Sequence, residues 1–250
     1  MAGRFASWDS YFWEPGGTVL RNLYGERDAG VLARREYRET ARRWDELVTG
    51  RVRVPRTYDA EHLRAIHRHL FGNVYEWAGE YRTVGMAKGW SNFAEPSQID
   101  QYLADAARVI HLTDWANLDR REFAAAAART FAYVNTAHPF REGNGRASKL
   151  FMQHVAELSR WRIDYSPKVS GVSAEIWNQA SMLSSPDLGS YDPVPGSLVP
   201  VFYAMTQPRE RPPAPADGSD AGDGSDAGHA AGPASYPRGA GEATGQNPGS

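Results

Sequence analysis

Apolar residues recur every three or four positions in five stretches of the chain, and residues that start and stop helices lie between them. Leu32, Ala41, Trp44 and Leu47 predict a first helix over Asp28 to Val48, broken by Gly50 and Pro55. Leu63, Ile66 and Leu70 form a stripe behind the candidate cap Asp59, and Ile99, Leu103, Ala106 and Ile110 form another behind Ser97. Phe123, Ala127, Phe131 and Val134 continue the pattern through an alanine-rich stretch, and Leu150, Phe151, Val155 and Leu158 repeat it after Gly145. Those last two are expected as a buried central pair. Between Tyr81 and Ala94 the helical period stops: β-prone Tyr81, Thr83 and Val84, the glycines Gly85 and Gly89, then Phe93, predict a short hairpin or flap. No strand alternates with helix as a parallel sheet requires, so the chain reads as all-α with a minor extended element, and a Rossmann arrangement has no support.

From Pro208 the composition shifts to Pro, Gly, Ala, Ser and Asp, and DGSDAG at Asp217 to Gly222 repeats at Asp223 to Gly228. A repeat with no apolar face has nothing to stack, so 208–250 is expected as a disordered tail. Elsewhere the balance is globular, with 41% hydrophobic, 23% charged and 12% aromatic residues in 250. The net charge is −2, of which the tail, with three arginines against six acidic residues, carries −3. The remainder is near neutral, which argues against wrapping nucleic acid or lying on an anionic membrane. There is no cysteine, which excludes disulfides, thiolate metal sites and cysteine nucleophiles. No run approaches the ~20 apolar residues of a spanning helix, and the opening MAGRFASWDSYFW lacks the apolar core of a signal peptide, so a cytoplasmic protein is expected.

The candidate chemistry lies between the two central helices, in His138-Pro139-Phe140-Arg141-Glu142-Gly143-Asn144-Gly145-Arg146. Gly143 and Gly145 let backbone approach a ligand, and the helix that starts here aims free N–H groups and its positive dipole end at the same place, which suits a phosphate. Glu142 is a hard carboxylate of the kind that holds Mg²⁺ together with phosphate oxygens and water. Arg146 can fork onto phosphate, and His138 titrates near neutrality and can take a proton from a hydroxyl. Phe140 is expected to pack inward and anchor the loop. His62, His67 and His69 cluster on one predicted helix without the glutamate of a zincin pattern, and read as a solvated face. The eight tryptophans read as packing residues, with Trp90 a candidate for exposure at the flap tip. No Walker glycine-lysine loop is present.

HPFREGNGR resembles the Fic signature, His-x-Phe-x-Asp/Glu-Gly-Asn-Gly-Arg-x-x-Arg, and Gly72 to Glu80 and Ser91 to Ala94 are also family-like. The resemblance covers roughly Thr57 to Gln207 and implies a compact helical Fic/Fido fold, with an N-terminal helical extension over 1–56 and the tail over 208–250. It further implies a protein adenylyltransferase that moves AMP from ATP to a Ser, Thr or Tyr hydroxyl of a target protein. In that scheme His138 is the general base and Glu142 the Mg²⁺ ligand. Phe140, Gly143, Asn144, Gly145, Arg146 and position 149 bind the nucleotide, and the flap aligns target backbone by strand addition. The stand-alone members are toxins restrained by a small antitoxin, with topoisomerases as targets by analogy. The signature's last arginine is Lys149 here, which keeps the charge and loses the planar fork. That departure motivates two alternatives: transfer of a different group, as in a phosphotransferase, or a binding protein without turnover. Lys149 could also be a solvated helix lysine. The pattern Ser/Thr-x-x-x-Glu-Gly/Asn of an inhibitory helix is absent from the chain.

Overall fold

The computed structural model describes residues 5–88 and 91–209, with backbone alone at Lys88, Ser91 and Asn92. Five helices follow the five expected stripes, the last ending at Ala156, two residues short of Leu158. Helix α1 (Ala29–Val48) starts where the Asp28 carboxylate accepts the Val31 N–H, and α2 (Ala60–Phe71) where Asp59 accepts that of His62. The hairpin is short: β1 (Ala87–Lys88) pairs antiparallel with β2 (Ser91–Asn92) in the register Ala87↔Asn92. Tyr81, Thr83 and Val84, expected as its strand, lie outside it; Trp90 lies outside the described residues.

Helix α3 (Ile99–Leu112) is not capped by Ser97. That serine sits inside a 3₁₀ turn, Pro96–Gln98, where Glu95 and Gln98 cap each other reciprocally. Helix α4 (Arg120–Ala137) opens with a capping box of Asp119 and Glu122, and α5 (Asn144–Ala156) follows it across the candidate loop. Both are buried as expected: Ala124, Ala127, Ala128 and Ala132 of α4 and Ala147, Met152 and Val155 of α5 are 0% exposed. The alanines let neighbouring helices close on α4, which packs on α3, on α5 and on a later helix, α8.

After α5 the chain makes β3 (Trp161–Ile163), a single turn α6 (Pro167–Ser170), α7 (Ala174–Leu183) and α8 (Val199–Met205). It closes with β4 (Thr206–Pro208), antiparallel to β3. Three-residue strands carry no readable alternation, so this second sheet has no sequence signal. The folded chain runs on through Arg209, whose N–H donates to Arg160 C=O; the expected disorder of the tail beyond it lies outside the described residues. Among the described residues no helix is long and apolar enough to cross a membrane.

Candidate active site

The loop between α4 and α5 is held in an uncommon shape. His138 ends α4 in the left-handed region at φ 39 and ψ 58, and Gly143 begins α5 at φ 82 and ψ 4. Asn144 braces the interval with both ends of its amide: Oδ1 accepts the Phe140 N–H at 2.8 Å and Nδ2 donates to the Phe140 C=O at 2.7 Å. That side chain was expected to cradle phosphate, and its amide is instead committed to closing the loop. Phe140 is 0% exposed and stacks on His67 with centroids 3.7 Å apart, so it is an internal anchor.

His67 is one of the histidines expected on a solvated face, and the structure overturns that reading. His62 and His67 are buried, and His69 is half-buried beside Glu46. His67 Nδ1 accepts the Gly79 N–H at 2.8 Å, which fixes the proton on Nε2, and Nε2 donates to Glu142 C=O at 2.9 Å. Burial drives its pKa to about 3, so it braces the loop as a neutral imidazole. The amphipathic stripe of α2 contains this face, but histidine's polarity hides it from a hydrophobic count.

The cations are placed less simply. Arg146 lies over the Phe71 ring at 4.6 Å and donates to Glu36 Oε1 at 2.5 Å and Thr40 Oγ1 at 3.0 Å, both on α1. Tyr75 Oη donates to the other oxygen of Glu36. Sequence reasoning missed this acidic partner, since residues over a hundred positions apart leave no local signal. Lys149 is half-buried rather than solvated, with Nζ 5.2 Å from the Tyr165 ring centroid and 5.3 Å from that of Trp177. Burial pushes its pKa down to about 8. A phosphate beside it restores the charged form, so ATP binding at pH 8.5 should take up protons, seen as a binding heat that changes with the buffer's ionisation enthalpy. Affinity should fall as pH rises through 8, and Lys149→Arg should abolish both effects; equal heats in all buffers for the wild type would refute the assignment.

Arg82 ties the flap to the candidate base. Only 1% exposed, it donates through Nε to His138 C=O at 2.8 Å and through one terminal nitrogen to Val84 C=O at 2.7 Å. The other terminal nitrogen reaches Ala94 C=O and, at 3.2 Å, Ala137 C=O. Burial lowers its pKa to about 10, so it stays charged at neutral pH. The flap side adds Phe93, whose ring stacks on His138 at 3.6 Å. Arg82→Met would strand four buried carbonyls, each lost partner costing ~1–3 kcal/mol less what water can replace. We expect a drop of about 3 kcal/mol in unfolding free energy, measured by urea titration.

His138, Glu142, Gly143, Arg146, Lys149 and Trp177 all line one cavity of about 1340 Å³. The Glu142 side chain is 44% exposed at its mouth, with Oε1 accepting the Gly143 N–H at 2.9 Å and lying 3.5 Å from Arg146. Among the described residues no group of three His, Asp or Glu could hold a metal by itself. A lone carboxylate beside a helix start fits Mg²⁺, whose remaining ligands are phosphate oxygens and water.

The family model for the Fic/DOC family matches residues 57–156. The N-terminal Fic domain of a putative cell filamentation protein from Bartonella quintana, solved with bound ADP, superposes with a TM-score of 0.68 at 30% identity, covering 80% of this chain and 95% of that one. This chain belongs to the Fic/DOC family. A second solved structure, the BepC protein of Bartonella tribocorum, a VirB-translocated effector protein with bound AMPPNP, gives a TM-score of 0.67 at 27% identity over 78% of this chain and 95% of that one. Among curated relatives, protein adenylyltransferase VbhT of Bartonella schoenbuchensis is 37% identical over 158 residues, 62% of this chain and 32% of that protein. The chain thus spans about a third of VbhT, and 87% of the probable protein adenylyltransferase Fic of Escherichia coli, to which it is 27% identical over 72% of its own length. The Fic/DOC fold accounts for the helical order and the flap; the Fic loop is the segment of this chain that carries the candidate chemistry.

Proposed function

We propose that this Fic protein is a protein adenylyltransferase. The observation that carries the reading is the convergence on one cavity of a histidine, a carboxylate, a helix start and two cations, all within His138 to Lys149. A hydroxyl oxygen of a target Ser, Thr or Tyr attacks the α-phosphorus of ATP, the bond from that phosphorus to pyrophosphate breaks, and the hydroxyl proton passes to the His138 imidazole. Glu142 would hold Mg²⁺. When bound, the ion draws charge from the phosphate oxygens. Gly145, and Gly143 once the Glu142 carboxylate that accepts its N–H turns to the ion, would present backbone N–H groups to the phosphates as charge develops, and Arg146 and Lys149 would face the leaving end. The flap, tied to the base by Arg82, offers strand edges to the target backbone.

We divide the chain into an extension over 1–56, the Fido domain over 57–207 and a tail over 208–250, with the extension contributing Glu36 and Thr40 to the site. By family analogy the protein is a cytoplasmic toxin restrained by a small antitoxin, with a topoisomerase as target. The departure at Lys149 supports a second reading, in which a group other than AMP is transferred or turnover is lost. The deciding experiment offers bacterial lysate the protein with Mg²⁺ and ATP labelled at either the α or the γ phosphate. Label from the α position alone is expected. Label from the γ position alone would make it a phosphotransferase, and none from either would leave a binding protein.

A further inference from the structure

Glu36 and Thr40 sit one turn apart on α1 and turn the same face of that helix to Arg146. The guanidinium donates through Nη2 to Glu36 Oε1 at 2.5 Å and through Nη1 to Thr40 Oγ1 at 3.0 Å, and lies over the Phe71 ring. Thr40 acts as an acceptor there, because its own hydroxyl donates to Glu36 C=O at 2.9 Å. Glu36 is held as firmly. Its second oxygen accepts the O–H of Tyr75, a residue 2% exposed, so swinging the carboxylate away would strand a buried hydroxyl. An acid with a donor on each oxygen and a side chain 13% exposed stays in place when a ligand arrives.

The same Arg146 nitrogen shows what this arrangement prevents. Nη2 also lies 3.5 Å from Glu142 Oε1, the carboxylate suited to Mg²⁺. Two carboxylates compete for one guanidinium, and the shorter, charge-assisted bond holds it to α1. Without Glu36 the half-buried cation keeps one acid within reach, and a small rotation of its side chain pairs it with Glu142. Both groups would then face each other and turn away from a nucleotide. Loss of Glu36 would also leave the site one charge more positive, which favours phosphate, so the direction of the change separates a brace from a brake.

We propose that Glu36, helped by Thr40, is a positioning residue of the nucleotide site: from α1 it fixes the fork of Arg146 and keeps it off Glu142. A fork ordered in advance loses little freedom when the anion binds. The proposal rests on the adenylyltransferase reading for the place of Arg146 at the leaving end. It makes α1 a working wall of the site, although that helix lies far in sequence from the loop that carries the chemistry.

The test is a double-mutant cycle, read by calorimetric titration of the full chain with ADP and AMP, for the wild type, Glu36→Leu, Arg146→Met and the two together. Glu36→Leu should weaken ADP by about 10-fold, within the span for residues of one hydrogen-bond network, and leave AMP, which has no phosphate at the leaving end, unchanged. Where Arg146 is already methionine, removing Glu36 should cost ADP binding nothing further. Equal losses in the two backgrounds would overturn the proposal, because they mark a general effect on the fold. Tighter ADP binding by Glu36→Leu would overturn it as well and make the acid a brake on the cation. Glu36→Gln keeps an oxygen for Arg146 and offers an amide N–H to Tyr75 Oη, so it should bind ADP at least as tightly as the wild type; a loss as large as that of the leucine variant would sink the brace. If Glu36→Leu fails to fold, Thr40→Val removes the acceptor of Nη1, and ADP binding undiminished there would count against the proposal in the same way. A chain that couples Glu36 to Arg146 in ADP binding but transfers no AMP would end the adenylyltransferase reading and leave the brace standing, whereas AMP transfer without that coupling would end the brace alone.

Discussion

His138→Ala is expected to lower AMP transfer by about 10²- to 10⁴-fold, the usual contribution of a positioned general base, while nucleotide affinity stays as in the wild type. The imidazole stacks on Phe93 of the flap side at 3.6 Å, and the His138 backbone carbonyl is held by Arg82. Alanine at φ 39 brings its own strain, of the order of 1–2 kcal/mol, so lost activity could be confused with a disturbed loop. His138→Asn removes that ambiguity, because asparagine tolerates the left-handed region and carries no base. Both variants should lose transfer alike and bind ATP alike. A His138→Asn protein with transfer near the wild-type rate would show that the imidazole is not the base.

Gly143→Ala should be more damaging to the molecule itself. A Cβ there would lie 2.3 Å from two carbons of the Phe71 ring, at φ 82, where an L side chain is already strained. Phe71 is 0% exposed and carries Arg146 on its other contacts, so it has no room to retreat. Left-handed strain of ~1–2 kcal/mol adds to an overpacking cost of ~1–3 kcal/mol. We expect unfolding free energy to fall by about 2–5 kcal/mol and ATP binding to be lost, since the loop must move to make room. Thermal unfolding with and without ATP measures both. Gly145→Ala is the control: no atom lies within 4 Å of the position of its Cβ, so its stability should be near that of the wild type.

The helices were legible because each carries a stripe and a cap within its own dozen or so residues, as Asp28 and Asp59 show. The candidate site was legible for a related reason: nine consecutive residues supply base, carboxylate, glycines and cation. What the sequence hid is what those residues lean on. His67 beneath the loop, Glu36 behind Arg146 and Arg82 between flap and base are polar residues whose partners, Val84 beside Arg82 excepted, lie 12 to 110 positions away. No periodicity marks them, and polarity made the histidines look like surface. The N-terminal aromatics that lie against Arg141 were hidden likewise: Trp8, Tyr11 and Phe12 have helical spacing, but the stripe stops there and the chain makes only the short 3₁₀ turn Asp9–Tyr11.

Arg82 gives its hydrogen bonds to carbonyl dipoles, and among the described residues no carboxylate pairs with it directly, Glu95 attracting it only from a distance. Dissolved ions weaken exposed ion pairs, such as Arg42 with Glu39 on the outer face of α1, but penetrate little to a group 1% exposed. The tie between flap and base therefore belongs to the part of the molecule that ignores ionic strength, and in brine the spacing between strand edge and imidazole would hold while the surface pairs of α1 come apart.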